Sequence, residues 1–245
     1  DRCSFVHGNY SEIRQIVSQS GVGHVDGVLM DLGVSSFQLD MADRGFSFRL
    51  EGPLDMRMDA SQELTAADIV NTWDEIDLKR ILREYGEERM AGTVAAAIVR
   101  ERGKSLFRTT TQLASLVERV KGAGAHGGSG RRRIHAATLT FQALRIAVND
   151  ELAGLDVGLS GGLDVLNPGG RLAVIAFHSL EDRRVKTFMR SHVGRDESLP
   201  ESGSRWVGEE PRARDITRKA VKAEAAEAAD NPRARSARLR VIERM

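Results

Sequence analysis

The sequence lacks several features that would assign it to common protein classes. Its single cysteine, Cys3, excludes an internal disulfide framework and predicts a location in the reducing cytoplasm. No apolar run approaches the ~20 residues that a membrane helix needs, so no membrane partner is predicted. The six histidines show no Cys or His pairing at zinc spacing, so no metal site is predicted either. With 41% hydrophobic and 29% charged residues, the composition is that of an ordinary globular protein.

Charge is balanced over the whole chain but unevenly distributed along it. The chain contains 36 basic and 35 acidic residues. Residues 40–90 carry 13 acidic and 7 basic side chains, whereas residues 100–145 carry 10 basic and 2 acidic ones. A basic stretch of this size attracts phosphate backbones, which makes nucleic acid a candidate partner. The alternative is a solvated helical face followed by a disordered arginine loop.

Two short apolar segments have the character of buried parallel strands. They are Val25–Leu32 and Arg171–Phe177, and helical spacing at Ser11–Ser18 precedes the first. The alternation of helix and buried strand predicts an α/β sheet. Ligands of such sheets bind beyond the carboxyl ends of the strands, which directs attention to Asp31–Gln38 and His178–Arg184.

Helical patterns fill the middle of the chain, and no strand pattern interrupts them. They follow an ordered loop at residues 43–59 and cover residues 65–73, 76–85, 87–102 and 110–121. A glycine-rich linker at residues 122–130 and the arginines Arg131–Arg133 end this stretch. The sequence therefore predicts a core formed by residues 1–40 and 135–245, with an all-helical insertion at residues 41–134.

The last third of the chain mixes regular and irregular patterns. Helices are predicted from His135 to about Leu166, ahead of the second buried strand. Residues 193–214 are rich in Gly, Pro, Ser and Glu and are predicted to be mobile. Ile216–Ala223 and Ala237–Arg244 alternate apolar and polar residues, which predicts a closing antiparallel pair.

Several longer segments resemble one known family. The turn Leu166–Leu172 is similar to the turn before the fifth strand of class I methyltransferases. In chain order, and over nearly the whole chain, the longer segments resemble the ribosomal RNA small subunit methyltransferase H family, also called MraW. These segments are Asp26–Asp40, Arg44–Asp59, Tyr85–Arg89, Thr140–Leu152, Pro168–Lys186 and Asn231–Arg244.

The resemblance implies a fold, an activity and a substrate. The fold would be a Rossmann-like class I methyltransferase sheet with an inserted all-helical domain. The activity would be methyl transfer from S-adenosyl-L-methionine to N4 of a cytosine in 16S rRNA, at the decoding centre of the small ribosomal subunit. The family's Gly-Gly-His-Ser turn and its ribose-binding acidic residue have no counterpart here. The sheet is therefore expected to be incomplete at its N-terminal end and to bind the cofactor weakly by itself.

The resemblance also implies site residues, position by position. Tyr10, Asp31 and Gln38 match cofactor contacts of the family, and Tyr10 would flank the adenine. Asp31, Ser35 and Ser36 are also predicted to be catalytic, because Asp31–Phe37 lies where other amino-methylating enzymes carry an (Asp/Asn/Ser)-Pro-Pro-aromatic motif. They would accept the hydrogens of the cytosine amino group, which is a poor nucleophile because its lone pair is delocalised. From the residues alone, a strand-ending Asp that caps a turn, with serines that satisfy a loop, stays equally open.

His178 is the fourth predicted catalytic residue, because it follows the second strand directly. Such a histidine can hydrogen-bond a base or relay a proton near neutral pH. The target cytosine would be flipped into a pocket between Asp31 and His178. The alternative is a helix start in which Ser179 is the N-cap, and both interpretations can hold together.

Basic residues supply the predicted contacts to RNA. Backbone contacts are predicted for Arg131–Arg133, Arg233, Arg235 and Arg238. Arg145 lies among apolar neighbours on a helix and is predicted to form an internal pair. Leu139 replaces an arginine of the family, which weakens the expectation of an RNA contact at that position.

Two other functions stay open at this point. A non-catalytic RNA-binding or ribosome assembly factor on a methyltransferase scaffold would use the same basic residues. The intact Asp31, Gln38 and His178–Asp182 positions argue against it. A nicotinamide-dependent oxidoreductase on a doubly wound sheet would need a Gly-x-Gly-x-x-Gly segment after a strand, and the sequence has none there.

Overall fold

The computed structural model describes residues 3–122, 135–198, 204–207 and 210–245. The chain forms two compact units, which differ in their secondary structure. The sheet unit comprises Asp1–Gly33 and Leu152–Met245, and the helical unit comprises Val34–Glu151. The sequence predicted the insertion at residues 41–134. The division into separate domains stays a prediction. None of the helices in the described residues combines the length and hydrophobicity that crossing a membrane requires.

The main sheet contains parallel and antiparallel neighbours. Strands β1 (Val25–Asp31) and β2 (Leu166–Ala176) are parallel, and β7 (Arg238–Arg244) pairs with β2 in the antiparallel sense. Two short strands, β5 (Ala213–Asp215) and β6 (Val221–Lys222), pair with β7. The predicted closing antiparallel pair is confirmed for β6 and β7.

That residues 193–214 are mobile stays a prediction, although the described part of this segment contains regular elements. This segment contains β5 and an antiparallel pair of strands, β3 (Arg195–Ser198) and β4 (Ser204–Val207). Backbone hydrogen bonds between strands form these elements, and they do not require the apolar alternation by which a sequence pattern identifies a strand.

The core of the sheet unit lies between the sheet and its helices. Helices α1 (Ile13–Gln19), α8 (Glu151–Asp164) and α9 (Ser179–Val193) contribute to this core, and the unit also contains a 3-10 turn at Tyr10–Glu12 and helix α10 (Ala225–Asp230). Leu155, Leu159 and Leu163 of α8 pack with strand residues in one buried cluster. The glycines of α8 allow this close approach: a Cβ at Gly162 would lie 2.9 Å from the Met30 Cε atom.

Strand β1 is buried on one face only, which corrects the expectation of a fully buried strand. Val28 and Met30 are 8% and 5% exposed, whereas Leu29 between them is 67% exposed. The side chains of a strand alternate between its two faces. Helix α8 covers the face of β1 that carries Met30. On the opposite face, no described residue of the sheet unit buries Leu29.

The helical unit has a second, separate hydrophobic core. It contains α2 (Ser36–Asp40), α3 (Ala66–Thr72), α4 (Glu75–Glu84), α5 (Ala91–Arg102), α6 (Thr110–Gly122) and α7 (Thr138–Asn149). The buried cluster runs from Phe46 to Val148 and includes residues of α7. This unit extends beyond residue 134 because the apolar face of α7 packs into that cluster.

The predicted ordered loop at residues 43–59 is confirmed, and its order has a visible cause. The Asn149 side chain accepts a hydrogen bond from the Met58 N–H at 2.7 Å and donates one to the Met56 carbonyl at 2.8 Å. Arg44 donates to the Arg57 and Met58 carbonyls. These bonds hold Met56 at a positive φ of 64° with its side chain buried.

Candidate functional site

The two predicted site segments of the sheet unit reach the same edge of the sheet. Asp31 is the last residue of β1 and is paired in register with Ile175 of β2. The Leu32 N–H donates to the Ile175 carbonyl at 3.1 Å, which carries the parallel pairing to the end of both strands. His178 lies two residues after the end of β2. The carboxyl ends of parallel neighbours share one edge, so Asp31 and His178 both lie there.

Asp31 presents an uncommitted carboxylate at this edge. Its side chain is exposed and has no hydrogen-bond or ion-pair partner among the described residues. Gly33 follows in the left-handed region at a φ of 85°, and a Cβ built there would have no heavy atom within 4 Å. The chain therefore leaves β1 through an open turn, and the Asp31 carboxylate can accept hydrogen bonds from a ligand.

Tyr10 lies against helix α8 of the same unit. A Cβ added at Gly158 would lie 2.5 Å from the Tyr10 Cδ2 atom, so the ring rests directly on this glycine. Gly154, one turn earlier, lies near the Tyr10 hydroxyl. The tyrosine remains 37% exposed. The ring is thus held against a helix, and the residue remains partly exposed.

The turn from β2 into α9 is fixed by a reciprocal cap. The His178 Nδ1 atom accepts from the Glu181 N–H at 3.4 Å. The Glu181 carboxylate accepts from the N–H groups of Phe177 and His178 at 2.8 and 3.1 Å. The prediction that Ser179 is the N-cap was wrong, because the imidazole of His178 takes this role and Ser179 is the first helical residue.

The cap determines how the His178 imidazole is oriented. Because Nδ1 accepts a hydrogen bond, the neutral ring carries its proton on Nε2. The side chain is 12% exposed, and the Nε2 atom lies 3.1 Å from the Glu181 Oε1 atom. Nε2 is buried and makes no hydrogen bond of acceptable geometry with the described residues. Sequence reasoning missed Glu181 as the orienting group, although its spacing of three residues from His178 is that of a capping box.

The remaining predicted residues, Ser35, Ser36 and Gln38, belong to the helical unit. The Ser35 hydroxyl accepts from the Gln38 N–H at 3.2 Å, and the Gln38 Oε1 atom accepts from the Ser35 N–H at 2.9 Å. This capping box begins α2. Ser36 is the exposed first residue of that helix. Ser35 thus has the structural role considered above, in which the serines satisfy a loop. The amide NH2 group of Gln38 can still donate to a ligand.

Asp182 in the first turn of α9 is held by two arginines of β7. Arg240 Nε donates to the Asp182 carboxylate at 2.7 Å, and Arg238 Nη1 donates at 2.8 Å. Burial acts to raise the pKa of Asp182, but hydrogen bonds from Arg240 and Arg238 outweigh it, and the pKa is lowered. Arg238, predicted to contact RNA, is thus partly engaged within the protein.

The other predicted arginines have different outcomes. Arg145 pairs with Glu151 inside the helical unit, at 2.7 and 2.9 Å, so its predicted internal pairing is confirmed. Arg235 is exposed in a 3-10 turn at Ala234–Ser236. Arg131–Arg133 lie outside the described residues.

Comparison with known proteins points to one family. A model of the MraW methylase family matches residues 1–245. The ribosomal RNA small subunit methyltransferase H of Geotalea daltonii is 48% identical over 245 residues, which are 100% of this chain and 77% of the relative. The protein of the same name from Syntrophotalea carbinolica is 50% identical over 245 residues, again 100% and 77% of the two chains. That of Geobacter sulfurreducens is 51% identical over 241 residues, 98% of this chain and 76% of the relative.

These matches agree with the architecture. The mixed α/β fold and the family match confirm the predicted Rossmann-like methyltransferase fold class and the resemblance on which it rested. The match extends over the whole chain, and the identities lie far above the level at which only a fold can be inferred. The chain therefore belongs to the MraW methylase family.

Proposed function

We propose that this protein transfers a methyl group from S-adenosyl-L-methionine to N4 of a cytosine in 16S rRNA, at the decoding centre of the small ribosomal subunit, in the cytoplasm. The names of its relatives and its membership of a methylase family support a ribosomal RNA substrate. The observation that carries the proposal is the uncommitted Asp31 carboxylate at the sheet edge that also carries His178.

The residues of the sheet unit fit this cofactor. S-adenosylmethionine combines a purine, ribose hydroxyls, an ammonium group and a sulfonium. The exposed Asp31 carboxylate, free of protein partners among the described residues, suits the hydroxyl and ammonium donors of such a molecule. The Tyr10 ring, held on Gly158, offers a stacking surface for the purine. The side-chain amide NH2 group of Gln38 would donate a further hydrogen bond to the cofactor.

Catalysis in this proposal depends on positioning and on hydrogen-bond acceptors. When bound, S-adenosylmethionine supplies an electrophilic methyl group on a sulfonium. The cytosine amino group is a weak nucleophile because its lone pair is delocalised into the ring. An acceptor at its hydrogens localises the lone pair and removes the proton after transfer. We assign this role to Asp31, with Ser35 and Ser36, four and five residues later in the chain, as further acceptors.

His178 has a complementary role in this proposal. Its Nδ1 atom is occupied by the Glu181 N–H, so the neutral ring offers only its Nε2 hydrogen. A cytosine presents acceptors at N3 and O2 beside its amino group. Because the Nε2 atom is buried and lies 3.1 Å from the Glu181 Oε1 atom, His178 would donate to the base only if its ring turned away from Glu181, and Glu181 would act as the positioning residue for His178.

The test measures methyl transfer from labelled S-adenosylmethionine to small subunits that lack the modification. The protein is expressed from its complete reading frame. Asp31→Asn is expected to lower the rate by about 100-fold or more, the range of a lost acid–base group. The matched control is Asp26→Asn, at the other end of the same strand, where the carboxylate accepts from Asn167 and from no other side chain among the described residues. It is expected to keep the wild-type rate.

Analysis of the product tests the finer part of the proposal. Digestion of the labelled rRNA to nucleosides, followed by mass spectrometry, is expected to give N4-methylcytidine. A label on another base would contradict the assigned position. If the wild-type protein bound subunits but transferred no label, the alternative of a non-catalytic assembly factor would replace this proposal.

A further inference from the structure

A small basic cleft lies beyond the carboxyl end of β2 in the sheet unit. Its volume is about 160 Å³. Three elements supply its walls: the β2–α9 turn, strand β6, and the start of β7 with the turn before it. The residues that line it are Phe177, His178, Ser179, Lys222, Arg235, Ser236, Ala237 and Arg238. None of these lining residues is acidic, so the cleft concentrates positive charge.

Two cations face each other across the strands at this cleft. Lys222 of β6 is paired in register with Arg238 of β7. Like charges directly opposite each other in an antiparallel pair repel and destabilise it. Arg238 is partly neutralised by Asp182, but Lys222 has no hydrogen-bond or ion-pair partner among the described residues. An anion between them would relieve the repulsion.

Arg235 adds a third cation with the same property. It is exposed, and no described residue forms a hydrogen bond or ion pair with its guanidinium. The N-terminus of helix α9 borders the same cleft, but Glu181 and Asp182 of its first turn already place carboxylates at this end of the helix. The cleft thus combines two uncommitted cations and a partly engaged arginine.

We propose that this cleft binds a backbone phosphate of the substrate RNA, close to the nucleotide that is methylated; this rests on the proposed function. The cleft is smaller than the roughly 300 Å³ at which pockets for whole small-molecule ligands begin, and this size favours a phosphate over a base with its sugar. Arginine and lysine bind phosphate through charge-assisted hydrogen bonds.

The position of the cleft relative to Asp31 explains why the phosphate belongs to the target region. Asp31 ends β1, β2 lies next to it, and Arg238 begins β7 on the far side of β2. Two strand spacings, about 10 Å, separate the outer strands. One nucleotide can span this distance. The cleft would therefore hold the backbone while the base reaches the carboxyl end of β1.

The experiment compares two double variants with the same loss of charge. Lys222→Gln with Arg235→Gln removes the two uncommitted cations of the cleft. Lys219→Gln with Arg218→Gln removes two exposed cations of the same unit that do not line it. Both proteins are full length, and circular dichroism and thermal unfolding verify that each is folded. Binding of purified, unmethylated small subunits is measured at several salt concentrations.

The cleft variant is expected to bind subunits about 10-fold more weakly than the control. Its plot of log K against log salt is expected to be shallower by about 0.7, the value for one phosphate contact on a single strand. The charge-conserving variant, Lys222→Arg with Arg235→Lys, is expected to retain binding. Equal affinity and slope for the cleft variant and the control would overturn the proposal.

A second measurement distinguishes binding of an RNA phosphate in the cleft from binding of the cofactor there. The KM for S-adenosylmethionine is measured on the same proteins. A raised cofactor KM with unchanged subunit affinity would mean that the cleft holds an anionic part of the cofactor, which also overturns the proposal. Binding is measured without methyl transfer. An inactive wild-type protein would therefore refute the proposed function, while the binding data would still show whether the cleft contacts the RNA.

Discussion

The buried charges of the helical unit and the uncommitted charges at the carboxyl edge of the sheet unit differ in whether they have protein partners. In the helical unit, the described charges of the interior are paired within the protein: Glu88 with Lys121 and Arg145 with Glu151. At the carboxyl edge of the sheet unit, Asp31, Lys222 and Arg235 have no protein partner among the described residues. The same residue types stabilise one unit and remain available to a ligand in the other.

This difference separates stability from chemistry. A buried charge without a partner is costly, so paired charges inside the helical unit are a condition of its folding. Exposed charges at the sheet edge lose little solvation on folding and can be used in binding. Substitutions of paired charges should therefore change the free energy of unfolding, while substitutions of the uncommitted charges at the sheet edge should change binding and rate.

The largest stability effect is expected in the helical unit. Glu88 is 4% exposed and pairs with Lys121 at 2.5 Å, and its other oxygen accepts from the Met90 N–H. Glu88→Gln leaves the half-buried Lys121 ammonium without its counter-charge and is expected to destabilise the protein by about 3 kcal/mol. Urea unfolding measures this. The double variant Glu88→Gln with Lys121→Met is expected to recover part of the loss. If the folded variant transferred methyl groups at a changed rate, the proposed separation between charges for stability and charges for function would be contradicted.

A smaller effect is expected at the helix that supports Tyr10. Gly158→Ala places a methyl group 2.5 Å from the Tyr10 Cδ2 atom, so the ring must move. Overpacking lowers the free energy of unfolding by about 1–3 kcal/mol, and the higher helix propensity of alanine raises it by about 1 kcal/mol. The matched control is Gly154→Ala on the same helix, whose nearest contact is the Tyr10 hydroxyl at 3.8 Å. It is expected to be neutral or slightly stabilising in urea unfolding. Equal effects of the two variants would mean that the ring is not held on Gly158.

The smallest effect concerns the Asp182 pair, and it depends on pH. The pKa of Asp182 is lowered from 3.8, since the hydrogen bonds of Arg240 and Arg238 outweigh the effect of burial. A depressed carboxyl pKa stabilises the folded protein above the unfolded-state pKa, and this contribution is lost as the pH falls through the folded-state pKa. Asp182→Asn is expected to be less stable than wild type at pH 5. The difference should shrink at pH values below about 3.8, the ordinary value for Asp. A constant difference across this range would contradict the assigned pair.

Sequence patterns predicted the parts of the fold that apolar residues determine. The runs at Val25–Leu32 and Arg171–Phe177 gave both parallel strands, and the topology of α/β sheets placed Asp31 and His178 at one edge. The helices of the middle region were also predicted, because their apolar residues recur at helical spacing over a dozen positions.

Other features depend on contacts that no local pattern reveals. Strands β3, β4 and β5 are three or four residues long, and pairing with other strands forms them. The exposed face of β1 depends on which elements cover it. The pairing of Lys222 with Arg238 depends on the register between two strands. His178 was missed as an N-cap because its Nδ1 atom is an acceptor only in one tautomer.

The most direct test of the account is whether the carboxyl end of β1 holds the methyl donor. Isothermal titration calorimetry with S-adenosylhomocysteine compares the full-length wild-type protein with Asp31→Asn and Asp26→Asn. A lost charge-assisted hydrogen bond is worth about 1.5–3 kcal/mol, so Asp31→Asn is expected to bind about 10-fold or more weakly. Asp26→Asn, at the opposite end of the strand, is expected to bind as wild type does. Wild-type affinity in Asp31→Asn would contradict the account.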